Sequence, residues 1–204
     1  MIRQGRPSRV RIIGGDWRRR WLPVAPVPGL RPSADAQRET LFNWLQPVLP
    51  RAAVLDVFAG TGALGFEAAS RGAASVLLVE RDPLAVRQLE ANRAALGAAQ
   101  VSVQRADALR LLAAGRGAAG REPFAVIFVD PPFGKGLVAP VLKALLEGDW
   151  LAPDARVYVE QESRLSPPEG WTVLRERTGG QARGLLLCRG AAATAAPAAD
   201  GVPG

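Results

Sequence analysis

Short, nearly continuous apolar runs recur through the middle of the chain, and between them apolar residues fall three and four positions apart. The first pattern marks a strand buried on both faces, and the second marks an amphipathic helix that covers it. Strands are accordingly expected at 53–58, 76–79, 101–103, 125–130 and 156–160, with helices at 63–71, 83–97, up to about Ala114, and 137–146. Regular alternation of this kind builds a mostly parallel sheet with helices on both faces, an α/β architecture. Two further strand-like runs, 171–175 and 184–188, have no helical pattern between them and read as a closing antiparallel hairpin, which brings the sheet to seven strands.

Ahead of the alternating region the pattern differs. Residues 10–13 read as a strand, Gly14-Gly15-Asp16 as a turn and 17–24 as the returning segment, so an N-terminal β-hairpin is expected. Pro23, Pro26, Pro28 and Gly29 make an extended linker, and Ser33 or Asp35 can cap a helix that runs to about Leu45 before Pro47 and Pro50 end it. The expected organisation is a basic hairpin and linker over 1–30, an α/β domain over 31–190, and a disordered tail over 191–204, which is Ala/Pro/Gly-rich and poor in large apolar groups.

Composition narrows the chemistry. With 204 residues the chain can bury a sizeable core, and no apolar run approaches the roughly 20 residues of a membrane helix. The chain has no histidine and only Cys188, which excludes an intrachain disulfide and makes zinc sites and His-based triads untenable; no metal is expected. A lone cysteine and the lack of a secretory leader fit a cytoplasmic protein. Net charge is +7 with a pI near 11.0, which favours a polyanionic partner. The excess is concentrated at the start, where Arg3, Arg6, Arg9, Arg11, Arg18, Arg19 and Arg20 face one acid, Asp16, and are interleaved with Trp17 and Trp21. That segment reads either as a solvated basic arm or as a grip on phosphates.

Gly60-Thr61-Gly62-Ala63-Leu64-Gly65 fits G-x-G-x-x-G between an expected strand and helix, and Glu80 lies about 20 residues on, at the next strand's end, where a carboxylate takes ribose hydroxyls. These features alone suit a dinucleotide equally well. Asp56, just ahead of the glycines, changes the balance: a carboxylate there repels a pyrophosphate but suits S-adenosylmethionine, a nucleoside bearing a sulfonium and an ammonium. Asp107, after the third strand, is placed to accept from an adenine amino group. Asp130-Pro131-Pro132-Phe133 closes the following strand. An exocyclic amine is a poor nucleophile because its lone pair is delocalised; a carboxylate and a backbone carbonyl that accept its N–H bonds favour a pyramidal nitrogen that can attack. The two prolines stiffen such a turn, and Phe133 offers a flat face on which an extruded base stacks. Any one of these acids could be a turn or cap residue, but all four fall at carboxyl ends of strands, the edge where open α/β sheets bind ligands.

Three segments together resemble the RsmD family of bacterial 16S ribosomal RNA guanine-N2 methyltransferases: Leu55-Asp56-Val57-Phe58-Ala59-Gly60-Thr61-Gly62-Ala63-Leu64-Gly65, Arg31-Pro32 with Arg38 to Leu45, and Phe128-Val129-Asp130-Pro131-Pro132-Phe133. The resemblance runs from Arg11 to about Arg189. It implies a Rossmann-like class I fold that uses S-adenosylmethionine to methylate N2 of one guanine in 16S rRNA of the 30S subunit or its assembly intermediate, acting as a monomer. It also implies that Asp56, Phe58, Gly60, Gly62, Glu80, Asp107 and Asp130 bind cofactor, that Asp130 to Phe133 are catalytic, and that Arg11, Arg18, Arg19, Arg20, Arg31 and Arg38 serve RNA. Two departures stand out: Arg19 and Trp21 replace a usual glycine and a usual basic residue in the hairpin, and Gly184 stands where a tyrosine is common. Rival readings are a DNA adenine-N6 or protein-glutamine methyltransferase, a nicotinamide-dependent dehydrogenase, and a non-catalytic RNA-binding assembly factor.

Overall fold

A mostly parallel sheet reverses its strand order beside the strand Ala53–Asp56, and the acids expected at the strand ends gather at the edge around that reversal. The computed structural model describes residues 8–27, 35–117, 122–162, 165, 169–179 and 182–190. Arg31, the capping position Ser33, the linker residues Pro28 and Gly29, the end of the Gly/Arg-rich loop at Arg121 and the tail 191–204 lie outside the described residues.

The chain opens with an antiparallel hairpin, β1 (Arg9–Arg11) and β2 (Trp21–Pro23), followed by α1 (Asp35–Leu45). The alternating region then supplies β3 (Ala53–Asp56), α2 (Ala63–Ser70), β4 (Ser75–Glu80), α3 (Pro83–Leu96), β5 (Val101–Arg105), α4 (Ala108–Ala113), β6 (Phe124–Val129) and α5 (Val138–Glu147). Strands β7 (Leu151–Glu162), β8 (Trp171–Gly179) and β9 (Ala182–Arg189) complete a seven-stranded sheet of order β5-β4-β3-β6-β7-β9-β8. Neighbours from β5 to β7 are parallel, while β9 runs antiparallel to both β7 and β8. Because β4 and β6 flank β3 on opposite sides, the crevice of the sheet lies between the tips of β3 and β6.

Alternate residues of the central strands feed two cores. Val54, Val126 and Phe128 join the layer beneath α1, α2 and α3, with Phe42, Phe66 and Leu89. Leu55, Ile127 and Val129 join the layer beneath α4 and α5, with Leu112, Val141 and Leu145. In that second layer the Trp150 indole is fully buried, and its Nε1–H donates to Leu112 O at 3.0 Å.

The hairpin belongs to the first core. Val10, Ile12, Leu22 and Val24 are buried in it, and the turn is clamped onto α2. The Glu67 carboxylate, buried at the middle of that helix, accepts from Ile13 N–H (2.7 Å) and Gly14 N–H (2.8 Å). Gly15 holds φ 75, and a Cβ there would lie 1.8 Å from Ser70 O, so only glycine allows the turn to close on the helix end.

Expected and observed elements differ mainly at the far side of the sheet. β7 begins five residues before the expected 156, because its pairing with β6 shifts register between Phe124 and Val126 and the extra residues around Pro153 are absorbed there. β8 and β9 also outrun expectation: Glu176, Arg177 and Thr178, beyond the expected 171–175, pair with β9, although their polar side chains hide the strand pattern.

Candidate active site

The glycine turn is built from main-chain bonds. Beyond β3, Gly60 and Gly62 take left-handed backbone conformations, φ 51 and 77. A Cβ on Gly62 would meet the Phe66 ring at 2.6 Å and Leu89 at 2.7 Å, so this glycine serves the packing of α2 and α3 as well as the turn. Asp56 is 1% exposed beneath the turn; its Oδ2 accepts from Gly65 N–H at 3.1 Å, and its Oδ1 is buried without a partner. Burial pushes the Asp56 carboxyl up to about 7, helped by the charge of Glu80 and opposed by the Gly65 and Phe58 N–H groups. Phe58 itself is half-buried against the second core.

Glu80, at the tip of β4, holds the turn from the other side. One oxygen accepts from Gly60 N–H (3.0 Å), the other from Arg81 N–H and Asp82 N–H (2.8 Å each). Asp107 follows β5, is exposed, and caps α4 by accepting from Arg110 N–H at 3.1 Å. Together with Asp130 these acids line one edge, and among the described residues none lies within 4.0 Å of a cationic group in an ion pair. An acidic edge of this kind, with an unpartnered buried carboxylate oxygen under a glycine turn, fits a ligand that carries positive charge and hydroxyls.

Across the crevice, Val57 N–H donates to Phe128 O (3.0 Å), which binds the start of the turn to β6. Asp130 stands one residue past β6, half-buried. Desolvation first, then the charges of Glu160 and Asp56, push its carboxyl up to about 8, against the pull of Arg177. Pro131 is buried, Pro132 is exposed, and the Phe133 ring is 47% exposed. Phe133 walls a cavity of about 290 Å³ that opens between the prolines, the start of α5 and the tip of β7. The loop is pinned by Gly134 N–H, which donates to Glu162 Oε1 at 2.6 Å.

The β7 side of this cavity contains residues that the sequence analysis did not single out. Glu160 is buried, with Oε2 accepting from Tyr158 O–H (3.0 Å) and Arg177 Nη2–H (3.3 Å). Glu160 terminates the expected strand 156–160, so the strand-tip rule that marked Asp56, Glu80, Asp107 and Asp130 also marks it. Tyr158 and Arg177 carried no such signal.

The arginines expected to serve RNA divide. Arg11, Arg18, Arg19 and Arg20 are exposed on the hairpin; Arg11 pairs with Asp35 (2.7 Å) and lies over the Trp21 ring at 5.8 Å. Trp21 is itself 57% exposed. Arg38 requires a correction. It is buried, donates to Arg11 O (2.8 Å) and Asp35 (2.7 Å), and lies 3.9 Å from Glu67, so it fastens the hairpin to the domain and presents no surface to a nucleic acid. A basic residue in a basic neighbourhood reads as a surface group; its partners lie in three separate segments, and of them only Glu67 is buried.

A family model described as Conserved hypothetical protein 95 matches residues 10–187. Ribosomal RNA small subunit methyltransferase D of Escherichia coli K12 is 46% identical over 177 residues, which covers 85% of this chain and 87% of that protein. The chain belongs to this family. Its Haemophilus influenzae member, of the same name, is 43% identical over 84% of this chain and 89% of its own length. The solved Escherichia coli structure provisionally named methyltransferase yhhF superposes with a TM-score of 0.80 at 45% identity, covering 91% of this chain and 100% of that one. The sheet order, with β9 antiparallel between β7 and β8, is the class I methyltransferase fold of the family.

Proposed function

We propose that this chain transfers a methyl group from S-adenosylmethionine to the exocyclic N2 of a specific guanine in 16S rRNA of the small ribosomal subunit. The observation that carries this reading is the position of Asp130-Pro131-Pro132-Phe133 at the tip of β6, directly across the crevice from the glycine turn and beside an open cavity. Family membership supports the rRNA substrate, since the relatives are named as small-subunit rRNA methyltransferases.

Asp56, Gly60, Gly62, Glu80 and Asp107 would hold the cofactor, whose acid-matched positive charge and hydroxyls fit the acidic edge described above. Bound there, S-adenosylmethionine supplies an electrophilic methyl group on a positively charged sulfur. Phe133 stacks on the extruded guanine, and its exposure leaves that face available. Asp130 accepts one N2–H and the Pro131 carbonyl the other, which turns the nitrogen lone pair out of the ring plane toward the methyl group. The methyl group would pass to N2 as its bond to sulfur breaks, leaving a neutral thioether, and the proton that N2 sheds would go to Asp130, whose carboxyl, raised to about 8, is suited to take it. No covalent enzyme intermediate is required, so alignment supplies much of the acceleration. The exposed Arg11, Arg18, Arg19 and Arg20 give the hairpin a cationic face for rRNA phosphates.

The test is transfer of labelled methyl from S-adenosylmethionine to 30S subunits that lack the modification, with naked rRNA, duplex DNA and protein extract in parallel. The expected product is N2-methylguanine at one site in the 30S particle. Label in DNA or protein would replace the substrate, and binding of NAD without competition by S-adenosylmethionine would replace the reaction.

A further inference from the structure

The cavity beside Phe133 has one wall without a task in methyl transfer itself, the tip of β7. Glu160 in that wall is 8% exposed, and its carboxylate is locked on one side only. Oε2 receives Tyr158 O–H and Arg177 Nη2–H, and Arg177 Nη2 also donates to Tyr158 Oη at 2.8 Å, a closed triangle. Oε1 accepts no hydrogen bond among the described residues.

The sheet is arranged to permit this. Glu160 on β7 is paired with Gly184 on β9, and Gly184 is paired with Arg177 on β8, so the three stand in one row across the sheet. A Cβ at Gly184 would lie 2.6 Å from Tyr158 Oη and 3.1 Å from Arg177 Nε. Without a side chain on β9, Arg177 reaches across the strand to Glu160. The charge of Glu160 is also felt at Asp130, where it is the strongest of the neighbouring charges.

We propose that Glu160 reads the Watson–Crick edge of the target base, its unpartnered oxygen accepting N1–H while Asp130 and the Pro131 carbonyl accept from N2. This rests on the guanine-N2 reading given above and adds what selects the base. Guanine offers three N–H groups along that edge, one on N1 and two on N2, and the site offers three acceptors. Adenine and cytosine place a ring-nitrogen acceptor beside their amino groups, and an acceptor facing a fixed carboxylate is repelled and left unpaired. Tyr158 and Arg177 act through Glu160, as positioning residues.

The experiment uses the intact enzyme and small subunits reconstituted with 16S rRNA in which the labelled guanosine is either retained or replaced by 2-aminopurine riboside. The analogue keeps the 2-amino group but has an acceptor at N1. Initial rates are measured for wild type, Glu160→Gln and Tyr158→Phe, with S-adenosylmethionine binding followed by calorimetry. Wild type is expected to prefer guanosine by at least about 100-fold. Glu160→Gln, whose amide can donate to an acceptor, should shrink that preference at least tenfold with unchanged cofactor binding, and Tyr158→Phe should shrink it less. The analogue lacks O6 for every enzyme compared, so the change in ratio isolates N1. A preference that survives Glu160→Gln overturns the proposal. Should Glu160→Gln lose cofactor binding, an unchanged preference in Tyr158→Phe overturns it instead. Cofactor binding by wild type with no label on guanosine N2 overturns the underlying reading, and this inference with it.

Discussion

The acids of the glycine-turn side and Glu160 across the crevice are held by different means. On the β3–β4–β5 side, Asp56, Glu80 and Asp107 all accept from backbone N–H groups, those of Gly65, Gly60 and Arg110 among them. On the β6–β7 side, Glu160 is held by the side chains of Tyr158 and Arg177, and the space they need is left open by Gly184. Main-chain anchoring persists whatever side chains surround it, provided the turn keeps its shape. Side-chain anchoring can be retuned one residue at a time. On the reading proposed above, the difference suits a cofactor half that must stay constant and a substrate half that must fit one base.

The sharpest way to separate the halves is Asp130→Asn at their junction. Methyl transfer should fall by about 10³-fold, with cofactor affinity within about twofold, because the amide cannot take the proton or accept as strongly. Loss of cofactor binding as well would assign Asp130 to the cofactor half. Stability should move the other way. Asp130 holds its proton up to about pH 8 in the folded protein, against an ordinary value of 3.8, so folding favours the protonated form. The stability this contributes is complete below about pH 4 and is lost as pH rises to about 8. Asp130→Asn should therefore melt a few degrees higher than wild type at pH 8 and alike at pH 3.5, read by thermal denaturation.

One glycine from each half makes the next comparison. Gly62→Ala forces a side chain into a left-handed residue and against Phe66 and Leu89, so it should cost about 1–3 kcal/mol and weaken cofactor binding. Gly184→Ala should leave cofactor affinity within about twofold but lower kcat/KM for the 30S substrate by about tenfold, since it displaces Tyr158 and Arg177 from Glu160. If Gly184→Ala weakens the cofactor instead, the two halves are coupled through the sheet.

A smaller effect appears in pH dependence. With Asp130 required in its unprotonated form, kcat/KM measured at low cofactor should climb with pH and level off above about 8. Glu160→Gln removes a like charge that raises Asp130, so the midpoint should move to lower pH. An unmoved midpoint would show that another group controls the rise.

The same contrast explains what the sequence disclosed. The glycine turn was legible because left-handed backbone at Gly60 and Gly62 demands a particular residue type, and the strand-tip acids because they follow apolar runs. Glu160 was not singled out, although the same rule applied to the expected strand 156–160 would have marked it. The row from Glu160 through Gly184 to Arg177 was not legible, since it exists only in the register of two antiparallel pairings whose polar residues hide the strand period. Arg38 failed for a related reason: its partners come from β1, the start of α1 and α2, and nothing local in the sequence announces that they converge.

The smallest expected effect concerns the hairpin, which both halves depend on only indirectly. Arg19 holds φ 70, a left-handed conformation in a residue with a Cβ, at the position where the resembling family usually has glycine. The turn tolerates it because Arg19 N–H still donates to Ile12 O at 2.9 Å. Arg19→Gly relieves the steric cost while giving up some unfolded-state restriction, for a net stabilisation of about 0.5 kcal/mol. A rise in Tm of about 1–2 °C is expected, with cofactor binding unchanged. The same substitution removes one exposed cation, so affinity for 30S subunits should drop slightly and most clearly at low salt. A loss of affinity that is as large at high salt as at low would mean that Arg19 makes a specific contact, and would move the hairpin from general phosphate attraction into the substrate half.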